Sequence, residues 1–133
     1  MNPQILIESC RLEPHTRNYH ANSTLITYKG AGFYFPLSNH DVSNMKRIGE
    51  VGREVVDLLA SQRGIVFVFL DPYMLFLVKG KLFGWEEIEK GILLAIGQIF
   101  GETKEGIEIK RQKCFCYRKE NIECLLRLQY HKS

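Results

Sequence analysis

The stretch GIVFVFLDPYMLFLVK, residues 64–79, decides the fold. Two apolar runs of strand length flank Asp71-Pro72. A connection that short leaves an antiparallel hairpin as the natural geometry. Nearly every position of both runs is apolar, so both strands are expected to be central in a sheet or covered on both faces. A transmembrane helix needs about 20 consecutive apolar residues, and neither run approaches that length.

On the C-terminal side, Trp85, Ile88, Ile92, Ala95, Ile96 and Ile99 recur at spacings of three and four, which predicts a helix. Glu86, Glu87 and Glu89 fall at its start, where carboxylates complement the positive end of the helix dipole. Gly101 suits the C-cap. On the N-terminal side, cap residues crowd together from Ser38 to Asp41. Met45, Ile48, Val51, Val55, Leu58 and Leu59 then predict one helix over roughly 41–61. Gly49 and Gly52 each cost that helix up to about 1 kcal/mol.

Further out, QILIESC (4–10) and TLITYK (24–29) read as strands, with a third short strand at 32–35. RLEPHTRNYHANS (11–23) is polar and contains a proline, so it reads as a loop. Strands are expected at 106–110 and 113–118, then a helix near 119–130 with Ile122, Leu125, Leu126 and Tyr130 inward. The expected architecture is α+β: a mainly antiparallel sheet with two to three helices packed on it. At 133 residues one domain is expected over the whole chain.

Hydrophobic content of 45% and charged content of 25% are those of an ordinary globular protein. Residues 1–100 carry equal numbers of cations and carboxylates, so the net charge of +3 sits in the last quarter. No basic n-region precedes the short apolar run at the start. The expectation is an intracellular, soluble, cytoplasmic protein without membrane contact. Cys10, Cys114, Cys116 and Cys124 are then expected as thiols or ligands rather than disulfides.

The run VFVFLDPYMLFLVKGKLFGWEEIEKGILLAI resembles the N-terminal domain of the Nfu family, the NifU-like iron–sulfur cluster assembly proteins. The likeness lies in Val66 to Leu70, the turn at Pro72, Met74 to Lys79 and the helix opened by Trp85. It covers about residues 23–101 and is clearest over 64–100, leaving 102–133 as a C-terminal extension. The family's cluster-binding Cys-x-x-Cys lies in a second module, and this chain has no such motif. The resemblance implies the fold and a place in iron–sulfur cluster assembly or delivery, as a non-catalytic module docking a protein partner.

In KCFCYRK (113–119) two cysteines stand one residue apart among cations. On a strand, Cys114 and Cys116 share a face and can both touch one soft metal, an iron–sulfur cluster or an iron or zinc ion. They also suit a redox thiol pair, or simple packing as small hydrophobes. Cys10 joins them only if the fold brings it close. Lys110, Arg111, Lys113, Arg118 and Lys119, interleaved with Phe115 and Tyr117, meet the minimum for single-stranded nucleic-acid binding. They equally describe a solvated basic face. His15, His20 and His40, with Asn18, Asn22 and Asp41, fall in polar segments without a ligand spacing. No phosphate loop, nucleophile elbow, zinc-protease or kinase signature is present, which favours a non-enzyme. A structural subunit of a larger assembly is the remaining alternative.

Overall fold

The computed structural model describes residues 3–22, 24–25, 30–101 and 106–114. The fold is α+β, with one six-stranded sheet and three helices. The strands are β1 (Gln4–Cys10), β2 (Glu13–Ala21), β3 (Ala31–Tyr34), β4 (Ile65–Asp71), β5 (Met74–Lys79) and β6 (Glu108–Cys114). The helices are α1 (Val42–Arg47), α2 (Gly49–Ala60) and α3 (Trp85–Phe100). Sheet order is β3-β4-β5-β2-β1-β6, antiparallel throughout except for the parallel pair β1–β6.

The expected hairpin is β4–β5, in which Leu70 faces Leu75 and Asp71 faces Met74. Its turn is tied down from outside: Ala21 N donates to Tyr73 O at 2.8 Å and Leu25 N to Pro72 O at 2.6 Å. The helix predicted from Trp85 runs as expected to Phe100, ended by left-handed Gly101.

Register sorts the side chains onto two faces. Ile5 and Ile7, Tyr19, Leu75 and Leu77, Val68 and Leu70, and Phe33 point to one side. There they form one core with Val55, Val56 and Leu59 of α2 and Ile88, Ile92 and Ile96 of α3. Each fully buried side chain of this size stabilises the fold by about 1.5–3 kcal/mol. The opposite face is divided. Phe67 lies 4.5 Å from Tyr34 and 6.3 Å from Phe76, centroid to centroid, at the β3–β4–β5 end. Glu8, Asn18, His20 and Lys110 occupy the β2–β1–β6 end.

Three expectations need correction. Residues 11–23 are not a loop, because Glu13–Ala21 form β2 in the middle of the sheet. The helix over 41–61 is broken: a single 3-10 turn, Asn39–Asp41, leads into α1, and the chain restarts as α2 at Gly49. The physical reason is Gly49, whose φ of 81° is left-handed. The start itself fits the cap prediction, since Ser38 Oγ accepts from His40 N and Ser38 N donates to Asp41 Oδ2 at 2.8 Å. Strands at 106–110 and 113–118 are instead one strand through 114, because Glu108 to Cys114 pair continuously with β1. Of the strand expected at 24–29, residues 26–29 lie outside the described residues, as do 115–118 and the helix expected near 119–130.

Gly64 opens β4 with φ 101°, and a Cβ there would lie 2.6 Å from the Phe83 ring. A Cβ on Gly49 meets nothing within 4 Å. Both alanine variants carry left-handed strain of about 1–2 kcal/mol, and Gly64→Ala adds a steric clash of similar size. Urea denaturation is expected to rank Gly64→Ala clearly below Gly49→Ala; equal midpoints would contradict this.

Candidate functional site

Helix α3 presents one ionisable group to the sheet. Glu89 stands four residues after Trp85 and one after Ile88, so helical spacing puts it in the apolar stripe. Its neighbours Glu86 and Glu87 are exposed in the first turn, as dipole complementarity requires, but Glu89 is only 6% exposed. Its assignment to the dipole set is therefore corrected.

Three groups from the sheet meet its carboxylate. Arg17 of β2 donates from Nη1 to one oxygen, and Arg111 of β6 donates from Nη2 to the other. The Tyr19 hydroxyl donates at 3.3 Å to the oxygen that Arg17 holds. The Trp85 ring lies 4.8 Å from the Arg17 guanidinium, a cation–π contact, while Trp85 Nε1 donates to Pro14 O at 2.8 Å. Arg17 Nε is buried and has no hydrogen-bond partner. The ring face thus substitutes for one of its expected contacts.

The electrostatics follow from this packing. Burial pushes the Tyr19 phenol well above its ordinary value, and the Glu89 charge pushes it further, while Arg17 acts in the opposite sense. The hydrogen bond to Glu89 raises Arg111, against a smaller opposing effect of desolvation.

Cross-strand register arranges the surroundings in rows. Tyr19, Ile7 and Arg111 lie side by side across β2, β1 and β6, as do Arg17, Ser9 and Lys113 in the next row. Ser9 is the small residue between two long cations. A cavity of about 280 Å³ opens there, lined in part by Ser9, Arg17, Arg111 and Lys113. A second cavity of about 390 Å³ lies against α3, between Arg17 and Arg111 on one side and Glu86, Glu89 and Lys90 on the other. The two share Arg17 and Arg111, so they form one groove between α3 and β6. Four cations, Arg17, Lys90, Arg111 and Lys113, line it against two carboxylates.

Guanidinium forks match carboxylate and phosphate geometry, and lysines add point charge. The groove's one hydroxyl, on Ser9, has neither a histidine nor a carboxylate among the lining residues of its cavity.

The structure distributes the residues proposed from sequence unevenly. Lys110, Arg111 and Lys113 are all exposed on β6, but Arg111 and Lys113 share the groove face while Lys110 belongs to the other. Arg118, Lys119 and Cys116 lie outside the described residues, and Cys114 is the last residue of β6. The histidines are not brought together. His15 Nδ1 lies 3.3 Å from Lys79 Nζ, His20 Nε2 lies 3.4 Å from Glu8 on the opposite face, and His40 sits in the 3-10 turn. Asn18, with His15 and His20, is on β2 rather than in a loop, and is buried. Among the described residues no group of three or more His, Cys, Asp or Glu side chains could hold a metal ion, and no helix is long and apolar enough to cross a membrane.

Against known proteins, the chain matches no family model and no curated protein.

Removing the central carboxylate leaves two guanidiniums facing each other. Glu89→Gln is expected to cost about 3 kcal/mol, the low end of the range for breaking a buried pair, because Arg111 is more than half exposed. Arg111→Ala costs about 1 kcal/mol or less, since Arg17 still pairs Glu89. Urea midpoints check the order, and an Arg111→Ala loss equal to that of Glu89→Gln contradicts it. A second expectation concerns alkaline pH. Tyr19 is raised in the folded state, so its contribution is fully present below its unfolded value of 10.0 and is lost as pH rises through the higher folded value. Stability is expected to fall above about pH 10, less steeply in Tyr19→Phe. Identical slopes in the two proteins would refute this.

Proposed function

We propose that the chain is a non-catalytic docking module that seats an acidic segment of a protein partner in the groove between α3 and β6. One observation carries the reading: a cationic groove whose two arginines are already oriented by an internal carboxylate, Glu89. Fixing guanidiniums before the partner arrives lowers the ordering cost of binding. The exposed cations Lys90, Arg111 and Lys113 then supply charge complementarity, which speeds encounter and selects acidic surfaces.

The likeness of residues 64–100 to the Nfu N-terminal domain supports iron–sulfur cluster assembly or delivery as the process served. On that reading the partner belongs to this process, and Cys114 and Cys116 are the thiolates offered to its metal. Iron, zinc and sulfide content of protein purified without air, compared with the Cys114→Ser/Cys116→Ser variant, tests this part. Metal lost in the variant supports it; metal absent from both proteins removes it.

A second reading has its own observation. Lys110, Arg111 and Lys113 stand together on an edge strand, as single-stranded nucleic acid would require. Arg111 bonded to Glu89 weighs against it, because that charge is partly neutralised before any phosphate arrives.

Fluorescence anisotropy with a labelled oligo-glutamate peptide and a labelled single-stranded oligonucleotide separates the two. The expected result is peptide binding at low salt, weakened about tenfold or more by Lys113→Glu or Lys90→Glu. Binding of the oligonucleotide alone, with steep salt dependence, would establish the nucleic-acid reading instead. Binding of neither probe at low salt overturns both.

A further inference from the structure

We propose that the acidic segment binds as an extended strand added to the open edge of β6, so that its main chain is recognised as well as its carboxylates. The inference rests on the docking role proposed for the groove and specifies how the segment is held there.

The hydrogen-bond ladder fixes which backbone groups of β6 are already used. Glu108 N donates to Pro3 O at 2.9 Å, so Glu108 turns its main-chain groups toward β1. From the other side, Asn22 N donates to Gln4 O at 3.2 Å, so Gln4 looks toward β2 and Ile5 toward β6. The parallel register continues from Gln4–Glu108 to Ser9–Lys113 without a break. Successive residues of a strand turn their N–H and C=O groups to opposite edges, so every second residue bonds a given neighbour. Lys110 and Gln112 therefore bond β1 as Glu108 does, while Ile109, Arg111 and Lys113 direct their N–H and C=O groups away from it. Among the described strands β6 ends the sheet on that side. Glu108 and Lys110 to Lys113 are exposed, and Ile109 is half-buried.

Charge decides what such an edge accepts. Edge strands are ordinarily blunted by shortness, a proline, a bulge or charge. Strand β6 has seven residues, no proline and no register shift, so its protection is charge. That charge is mainly of one sign, with Lys110, Arg111 and Lys113 against Glu108. It repels a second copy of β6, because like charges opposite one another destabilise a pair. It attracts a strand that carries carboxylates at the facing positions. Side chains of an added strand alternate between the two faces of the sheet. Those opposite Arg111 and Lys113 enter the groove and are acidic. One opposite Ile109 is apolar, because Ile109 and Leu93 both line the larger cavity. One opposite Lys110 is acidic and lies on the other face. Main-chain bonds to the edge supply affinity, and the alternating side chains supply specificity.

The test uses the full chain at low salt with a fluorescein-labelled octaglutamate and two N-methylated forms of equal charge. One form carries N-methyl groups on every second residue, which leaves one edge of the peptide able to bond. The other carries the same number on consecutive residues, which obstructs both edges. The alternate form is expected to bind as the unmethylated peptide does. The consecutive form is expected to bind about tenfold or more weakly, the effect of losing one or two main-chain hydrogen bonds. Amide exchange followed by NMR gives a second readout. In the free chain the Ile109, Arg111 and Lys113 amides are expected to exchange fast and those of Lys110 and Gln112 slowly, and octaglutamate should slow the first set. Equal affinity of the two methylated forms, or slow exchange at Arg111 and Lys113 in the free chain, overturns strand addition and leaves the acidic groove standing. Failure of the unmethylated peptide to bind overturns the acidic-partner reading and this inference with it.

Discussion

A single carboxylate joins three elements that are remote in sequence. Glu89 reaches down from α3 and is bonded by Arg17 from β2 and Arg111 from β6. The rest of the helix-to-sheet contact is apolar and non-directional, so it fixes how close α3 lies rather than where. The arginine–glutamate–arginine clasp adds direction. It also resolves a problem that β2 creates. An arginine at an inward position of a central strand is costly unless paired, and Glu89 is the partner helical spacing can deliver there. Exchanging the clasp for hydrophobic residues would not obviously weaken the fold, because buried ion pairs recover little net stability. What would go is the orientation of two guanidiniums at the mouth of a groove.

The clasp bears on topology as well. Strand β6 follows α3 in the chain and makes the one parallel pairing among the described strands, with β1. Its apolar content on the helix face is Ile109 alone, since Arg111 and Lys113 follow at the next inward positions. Hydrophobic burial therefore contributes little to holding this strand. Its hydrogen bonds to β1 and the Arg111–Glu89 contact are the main attachments among the described residues. An edge strand attached mostly by polar contacts is the kind of element that opens at low free-energy cost.

What the sequence made legible divides along the same line. The β4–β5 hairpin and α3 were readable because both obey one periodicity with apolar residues throughout: residues 65–70 and 74–78 as strands, and Trp85 to Ile99 at helical spacing. Strand β2 was not readable. Its inward positions are Arg17, Tyr19 and Ala21, and its outward ones Asn18 and His20, so hydrophobic alternation is confined to four residues, Asn18 to Ala21, after a polar, proline-containing start. The inward arginine is tolerated only because of a glutamate 72 residues away, a contact no local pattern encodes. Glu89 was misread for the complementary reason. Three glutamates in the first turn and a half satisfy helix-dipole complementarity, and that sufficient local explanation concealed the one of the three that lies in the apolar stripe. Its spacing of four from Trp85 was the available signal. Gly49 likewise announced a weak point in the helix over 41–61, though not the left-handed turn that divides α1 from α2.

The two faces of the sheet hold their ionisable groups in different ways. Turnover needs a nucleophile or an acid–base pair whose protonation changes during a cycle. On the groove face the buried carboxylate of Glu89 is bonded by two guanidiniums and a phenol, and burial pushes that phenol still further above its ordinary value. On the other face the one buried carboxylate–imidazole contact, Glu8 with His20, faces Lys110 rather than a hydroxyl or thiol awaiting a base. Beside the groove, Glu89 is held by two guanidiniums, while Lys90 and Lys113 are exposed cations.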